Sequence, residues 1–341
     1  HILKESHLGT NAFLGGISNN YKSNLLLDAE SEYVVVEADE FDRSFHHLRP
    51  YMSVITSIDP DHLDIYGTEE GYQEGFNVYA GLVEKVVVLK AGYSIDTQRL
   101  QKGTKVYTYT GVAEGLEGKK ADFYAENVEA KDGEIWFDFV GKGVRITHIR
   151  LGVPVWVNIE NSVAAMAMAW LNGVSPEECR KGIEQFAGVY RRFNIHVKNN
   201  KTVYIDDYAH HPTELSASIE SVRKIYPERE LWVVFQPHLY TRTRDFMNGF
   251  ARVLSKADKL LLLPIYPARE KPIAGVSSEA LAEEIRRQKK GQDVQVVEKE
   301  ALAAHLREEI KHSKHKIAVM SLGAGDIDRL VETIRKTLTQ A

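Results

Sequence analysis

Apolar runs of strand length recur in the first third of the chain and end in polar clusters. They cover residues 33–38, 51–58 and 85–89. Such runs, separated by segments of helix length, are typical of parallel strands buried on both faces. Functional groups of these sheets gather at the carboxyl ends of the strands. We therefore expect Glu37 and the segment 59–62 to lie at the ends of neighbouring strands.

The pattern changes between residues 105 and 149, where polar and apolar residues alternate. Lys131-Asp132-Gly133 interrupts this alternation and is a hairpin signal. The alternation predicts an antiparallel addition to the first sheet. An Ala- and Met-rich helix is expected over residues 162–171, where Asn172-Gly173 would end it.

From about residue 194 the chain alternates regularly between short apolar runs and amphipathic segments, which predicts a doubly wound open sheet. The expected strands are 202–205, 231–235, 259–263, 294–297 and 317–322. The expected helices are 213–225, 243–256, 278–289, 300–311 and 326–338. The predicted fold class is α/β, with a first domain over residues 1–190 and a Rossmann-like second domain over residues 191–341.

Composition narrows the class of protein. Of the 341 residues, 43% are hydrophobic and 27% are charged, as in ordinary globular proteins. The net charge of -5 argues against a nucleic-acid partner, which usually requires a basic excess. Cys179 is the one cysteine, so no intrachain disulfide can form. There is neither a membrane-length apolar run nor a signal-peptide pattern, so we expect a cytoplasmic protein with no membrane partner.

Three polar clusters follow predicted strands. The first joins Glu37 to the segment 58–64 (IDPDHLD) and suits Mg²⁺, which prefers carboxylate, water and phosphate oxygens. Acids at strand ends are also common as solvated caps, and that alternative stays open for this cluster taken alone. Two acidic ends on neighbouring strands would favour the cation, because like charges at one edge need neutralising.

The second cluster, residues 206–212 (DDYAHHP), lies between a strand and a helix. A helix N-terminus is a natural anion site. Capping by Asp or Thr and a Pro in the first turn are structural alternatives. They account for one residue of the cluster but not for the whole set, so a functional site is favoured.

The third cluster, residues 235–244 (FQPHLYTRTR), also enters a helix and carries two arginines and a histidine suited to a carboxylate or phosphate. Arg191 and Arg192 lie at the predicted domain boundary, where they could face a phosphate. Gly323-Ala324-Gly325 resembles part of a dinucleotide fingerprint, but the third glycine is absent. We interpret it as a tight turn. The alternative interpretation of the protein as an NAD-dependent oxidoreductase would rest on this turn alone.

Several strings together resemble the Mur ligase family over the whole chain, in order and with sensible spacing. They are VVEADEFDRSFHHLRP, ITSIDPDHLDIYGT, FAGVYRRF, YIDDYAHHPTE, VVFQPHLYTRTRDF, IYPAREKPIAGVSS and SLGAGDI. Among family members they are most similar to the alanine-adding enzymes. The resemblance implies a central ATP-binding domain followed by a Rossmann-like domain that brings the amino acid. It also implies an ATP- and Mg²⁺-dependent ligase that activates UDP-N-acetylmuramate as an acyl phosphate and joins it to L-alanine in peptidoglycan precursor synthesis.

The resemblance also assigns residues. For the metal it implies Glu37 and His62. For the nucleotide it implies Asn158, Asn161, Arg192 and Asp207. For the alanine pocket it implies Tyr208, His210, His238 and Arg242. Arg192 and His210 are the implied catalytic residues, and Arg242 is the implied partner of the alanine carboxylate.

The sequence departs from the family pattern at three places. The phosphate loop of the form G-T-x-G-K-T-T is absent, and His1 to Ser6 reads as the end of a helix already under way. We therefore expect these 341 residues alone to lack ligase turnover, because nothing else here would cradle the β- and γ-phosphates. Val157 replaces a usual histidine, and Leu239 replaces a frequent arginine. A ligase that recycles a tripeptide onto the same nucleotide sugar and a non-catalytic binding protein remain alternatives.

Overall fold

The computed structural model describes residues 1–60, 62–111 and 121–340. The chain divides into two compact units, His1–Ala187 and Gly188–Ala341. Each unit has its own sheet and its own core, and each is described separately below.

Unit 1 begins with a short helix and a small three-stranded sheet in the order β2-β1-β3. The elements are α1 (Ile2–Glu5), β1 (Asn11–Phe13), β2 (Leu25–Leu26) and β3 (Val34–Val36). β3 runs parallel to β1, and the three β3 valines are 41–55% exposed. The prediction that run 33–38 is a buried strand was therefore wrong. So was its placement beside run 51–58, because β3 pairs in this small sheet.

The main sheet of unit 1 has the order β4-β5-β6-β7-β8-β9 in the described part of the chain. Its strands are β4 (Met52–Ile55), β5 (Val86–Lys90), β6 (Lys105–Thr110), β7 (Phe123–Lys131), β8 (Glu134–Gly141) and β9 (Val144–Arg150). β4 to β7 pair in parallel, and β7, β8 and β9 pair antiparallel. The predicted parallel sheet with an antiparallel addition is confirmed, but the addition does not begin at residue 105, because β6 pairs in parallel with both β5 and β7.

Helices cover the main sheet of unit 1. They are α2 (Leu63–Tyr66), α3 (Glu69–Ala80), α4 (Val157–Leu171) and α5 (Pro176–Gln185). Aromatic side chains from α3 pack with Phe45 in a core cluster that includes Tyr72, Phe76 and Tyr79. α4 begins at Val157 rather than at residue 162, so Asn158 and Asn161 lie in its first turns.

The sheet of unit 2 has the order β10-β11-β15-β12-β13-β14. Its strands are β10 (Asn194–Lys198), β11 (Thr202–Asp207), β12 (Glu230–Phe235), β13 (Lys259–Leu262), β14 (Asp293–Val296) and β15 (Ile317–Leu322). β10 is antiparallel to β11, and the other neighbours are parallel. The predicted Rossmann-like sheet is confirmed, and β11 extends past residue 205 to include Asp206 and Asp207.

The helices of unit 2 match the predicted segments closely, with one division. They are α6 (Pro212–Ile225), α7 (Tyr240–Asp245), α8 (Met247–Leu254), α9 (Ser278–Gln288), α10 (Lys299–His312) and α11 (Val331–Gln340). The segment 243–256 is divided because Phe246 leaves helical geometry between α7 and α8. Among the residues described, no helix is long and apolar enough to cross a membrane.

Candidate active site

β11, β15 and β12 are neighbours in the unit 2 sheet, so the segments that follow them meet at one edge. We call residues 207–212 the histidine loop and residues 323–325 the glycine turn. The third segment, residues 236–242, leads from β12 into α7. These are the second and third polar clusters of the sequence together with the turn that resembled a dinucleotide fingerprint.

Two consecutive aspartates end β11 in different surroundings. Asp206 is 1% exposed and accepts a hydrogen bond from Ser321 Oγ at 2.9 Å. Burial raises the pKa of Asp206 to about 6. The Asp207 carboxylate accepts bonds from Ser218 Oγ at 2.8 Å and from the Ala209 N–H at 3.0 Å. Burial also raises the pKa of Asp207, and the positive charge of Arg192 opposes that rise.

The aromatic residues of the histidine loop have distinct roles. Tyr208 and His210 are in edge contact, with ring centroids 5.2 Å apart. The Nδ1 of His210 lies 3.0 Å from the Tyr208 carbonyl oxygen. Since a carbonyl only accepts, His210 Nδ1 carries the proton in this hydrogen bond, and neutral His210 has its lone pair on Nε2. His211 instead caps α6 with Glu214, so capping accounts for these two residues.

His238 and Arg242 form the second half of the cluster. Arg242 Nη1 lies 3.0 Å from His238 Nδ1. A guanidinium only donates, so His238 Nδ1 is the acceptor and its Nε2 carries the proton. Burial, followed by the charge of Arg242, lowers the pKa of His238 and favours this neutral form. The His238 ring lies 6.3 Å from that of His210 and stacks on Tyr266 at 5.7 Å.

The structure therefore brings together the four residues assigned to the alanine pocket, Tyr208, His210, His238 and Arg242. The two histidines are held in opposite tautomers, one with an acceptor and one with a donor at Nε2. An acceptor next to a donor and an arginine can bind an amino acid, because the amine and the carboxylate need opposite partners.

The glycine turn is a close-packing feature. A Cβ on Gly323 would lie 2.6 Å from the Gln236 backbone oxygen, and Gly323 has a positive φ of 140°. A Cβ on Gly325 would lie 2.4 Å from Gln236 Oε1. Gln236 is fully buried and donates to Asp326 Oδ1 at 2.8 Å. Both glycines are thus required by contact with Gln236, and this agrees with the interpretation as a tight turn.

Glu270 is a residue of this edge that the sequence reasoning missed. Its carboxylate accepts from the Thr241 N–H at 3.0 Å and from Thr241 Oγ1. It therefore accepts a hydrogen bond from a backbone N–H in the first turn of α7, where such groups have no partner within the helix. α7 is the helix that carries Arg242. The signal in the sequence was its position after β13, because that strand ends at the same edge as β12.

In unit 1, Glu37 follows β3 and is held by the Gly15 loop. Its Oε2 accepts from the Gly15 N–H at 2.8 Å. A Cβ on Gly15 would lie 2.2 Å from the same oxygen, so a side chain at residue 15 would displace the exposed Glu37 carboxylate from this position.

His62 begins α2 with a positive φ of 52°. Its Nε2 lies 3.7 Å from Glu40 Oε1, and its ring is in edge contact with Phe41. Asp61 lies outside the described residues. No group of three or more metal-ligating side chains occurs in the described part of the chain. Magnesium commonly uses one or two carboxylates with phosphate oxygens and water, so Glu37 suits a metal that arrives with a nucleotide, whereas the imidazole of His62 is a less usual ligand for it.

The first turns of α4 carry the two asparagines assigned to the adenine. Asn161 donates to the Asn158 side-chain oxygen at 3.1 Å, so the two side chains are in contact. Between them in the sequence, Glu160 pairs with Lys90 at the end of β5, with 2.8 Å between Nζ and Oε1. This ion pair joins α4 to the carboxyl end of the main sheet.

Two family models match the chain. The Mur ligase middle domain matches residues 6–169, and the glutamate ligase domain of Mur ligases matches residues 191–325. Together they cover most of both units, and the order of the two is the order of the units along the chain. The chain therefore belongs to the Mur ligase family.

Two relatives of high identity carry the same name. The UDP-N-acetylmuramate–L-alanine ligase of Parabacteroides distasonis is 53% identical over 340 residues, which are 99% of this chain and 70% of that protein. The enzyme of the same name from Phocaeicola vulgatus is 50% identical over 98% of this chain and 70% of its own length.

Solved structures share the fold. A UDP-N-acetylmuramate-alanine ligase of Thermotoga maritima superposes with a TM-score of 0.76 at 24% identity, over 100% of this chain and 70% of that one. MurF of Thermotoga maritima, solved in complex with ADP, superposes with a TM-score of 0.65 at 17% identity, over 99% of this chain and 77% of that one.

Proposed function

We propose that this protein joins L-alanine to the carboxylate of UDP-N-acetylmuramate in an ATP-dependent step of peptidoglycan precursor synthesis. The cluster of Tyr208, His210, His238 and Arg242 carries the proposal, because it offers complementary partners to both ends of an amino acid. The names of relatives about 50% identical over nearly the whole chain support the same substrates. ATP is a cytoplasmic substrate, so we place the reaction in the cytoplasm.

The reaction has two stages. A carboxylate oxygen of UDP-N-acetylmuramate attacks the γ-phosphorus of ATP, ADP leaves, and an acyl phosphate forms. The amine of alanine then attacks the acyl carbon, loses a proton, and expels inorganic phosphate as the amide forms. The demand on the protein is positioning and charge stabilisation.

We assign the amino acid to unit 2. Arg242 and the Nε2–H of His238 bind the alanine carboxylate, since both are donors and they lie within one hydrogen bond of each other. His210 Nε2 accepts the proton that the alanine amine releases, because the bond from Nδ1 to the Tyr208 carbonyl leaves Nε2 unprotonated. Tyr208 is the aromatic wall beside His210.

We assign the adenine to Asn158 and Asn161 of unit 1, whose paired amides offer a donor and an acceptor. Arg192 and Asp207 of unit 2 take part in nucleotide binding, with Arg192 at the γ-phosphate. Glu37 and His62 would be the protein ligands of Mg²⁺, and a metal held there would supply positive charge to neutralise the phosphates during transfer. In this assignment residues 1–190 form the ATP-binding domain and residues 191–341 the amino-acid domain.

Because these 341 residues alone are expected to lack turnover, the test assays a purified protein in which the phosphate loop of the family precedes them, with Mg-ATP, UDP-N-acetylmuramate and radiolabelled L-alanine. We expect label in the nucleotide sugar and equal amounts of ADP and phosphate. Transfer of a tripeptide but not of alanine would contradict the choice of substrate and favour the recycling ligase. Absence of ADP formation with either substrate would favour a non-catalytic binding protein.

The role of His210 has its own prediction. His210→Gln removes the base while it keeps a polar side chain, so kcat should fall on the order of a hundredfold with a smaller change in KM for alanine. His211→Gln is the matched control, because His211 caps α6 and is in edge contact with Phe246. An equal loss in both variants would contradict the assignment.

A further inference from the structure

The two consecutive arginines at the start of unit 2 have different surroundings. Arg192 is exposed, whereas the Arg191 side chain is 11% exposed. Arg191 also has a positive φ of 60°, which is uncommon for a residue other than glycine. From the sequence both arginines were candidates for binding a phosphate, but in the structure only Arg192 is exposed.

The Arg191 guanidinium is engaged by the glycine turn. Its Nη2 donates to the Gly323 carbonyl, and its Nη1 lies 3.5 Å from the Gly325 carbonyl oxygen. Nη1 is also 3.8 Å from Asp328 Oδ2. Two nitrogens of one planar group thus hold two carbonyls of the same turn, which the single ammonium of a lysine cannot reproduce.

The same residue also holds the histidine loop. The backbone carbonyl of Arg191 accepts from the Tyr208 N–H at 2.7 Å. The Arg191 guanidinium lies 4.9 Å from the centre of the Tyr208 ring, in a cation–π contact. Tyr208 in turn contacts His210, and His210 faces His238. Arg191 is therefore the first member of a chain of contacts that ends in the proposed alanine pocket.

We propose that Arg191 is a positioning residue for amino-acid binding, which fixes Tyr208 against the glycine turn and binds neither phosphate nor alanine itself. This inference rests on the proposed function, since it names the alanine pocket as the site that is positioned. It assigns the two neighbouring arginines to different substrates: Arg192 to the nucleotide and Arg191, indirectly, to the amino acid.

The test compares Arg191→Lys and Arg191→Gln with the unchanged protein, all three in the form in which the phosphate loop of the family precedes these 341 residues. We expect KM for L-alanine to rise on the order of tenfold, while KM for Mg-ATP stays within about twofold. Arg192→Lys should instead raise KM for Mg-ATP and leave KM for L-alanine within about twofold. The matched control is Arg335→Lys, because Arg335 forms two bonds to Glu332 on the exposed face of α11 and touches neither site.

A spectroscopic measurement separates positioning from general loss of structure. In amide and side-chain NMR spectra, both Arg191 variants should shift the resonances of Tyr208 and His210, while signals of distant strands such as β14 stay in place. An unchanged KM for alanine, unmoved Tyr208 and His210 signals, or an equal rise of both KM values would each overturn the inference. The inference is also overturned if one Arg191 variant does not fold and the other has the KM values and NMR signals of the unchanged protein.

The two proposals fail in different ways. If the unchanged protein does not turn over alanine, the proposed function fails. The displacement of the Tyr208 and His210 signals in the Arg191 variants then still decides whether Arg191 positions the histidine loop.

Discussion

Asp206 is a buried acid whose charge should cost the protein stability at neutral pH. It is 1% exposed, it lies near the carboxyl end of β11, and burial raises its pKa from 3.8 to about 6. A shift of roughly two units corresponds to about 3 kcal/mol between the charged and neutral forms. We predict that Asp206→Asn removes this penalty, since the amide oxygen can still accept from Ser321 Oγ.

The direction in which the stability difference changes with pH follows from the raised pKa of Asp206. The neutral form is favoured in the folded state, so its stabilising contribution is complete below about pH 4 and is lost as pH rises through about 6. Relative to the unchanged protein, Asp206→Asn should therefore be near neutral at pH 4 and more stable by about 2–3 kcal/mol at pH 8. Comparing the two proteins at each pH cancels the contributions of the other carboxyl groups.

Hydrogen exchange followed by mass spectrometry measures this locally in peptides that span β11 and β15. Asp245→Asn is the control, because Asp245 is an exposed acid of the same unit, paired with Arg244. A stability difference that is the same at pH 4 and pH 8 would refute the reasoning. So would a variant that becomes relatively less stable as pH rises.

Two further substitutions test the contacts of the site. Gly325→Ala should destabilise unit 2 by about 2–3 kcal/mol in urea denaturation, because the new Cβ would lie 2.4 Å from Gln236 Oε1. Gly275→Ala, at a positive φ with open space around it, should cost only about 1 kcal/mol, and a larger loss there would contradict the packing argument. Glu270→Gln should raise KM for alanine several-fold without changing KM for ATP, since it weakens the hold on Thr241 at the start of α7; equal changes in both would contradict this.

Much of the fold follows from hydrophobic periodicity. Five of the six strands of unit 2 lie within about two residues of their predicted segments, whereas β10, most of which is only half-buried, was not predicted. The failure at residues 33–38 has a physical reason. Val34, Val35 and Val36 have the composition of a buried strand, but strand pairing is a long-range choice, and β3 pairs with β1 in a separate small sheet.

The candidate site was predictable in part because the carboxyl ends of parallel strands meet at one edge. The resemblance to the Mur ligases assigned Tyr208, His210 and His238 to one pocket, and the strand-end rule gives the physical reason for it. It could not give the tautomers of the histidines, which depend on single hydrogen bonds to a carbonyl and to a guanidinium. Nor could it separate Arg191 from its exposed neighbour, because burial of one of two adjacent residues depends on the local backbone.

We propose that the amide forms through an acyl phosphate of UDP-N-acetylmuramate. The most direct test uses UDP-N-acetylmuramate labelled with ¹⁸O in its carboxylate, with Mg-ATP and L-alanine, and analyses the released phosphate by mass spectrometry. We predict one labelled oxygen in each phosphate, with equal formation of the alanyl product. Unlabelled phosphate, or labelled phosphate without the amide, would contradict the account.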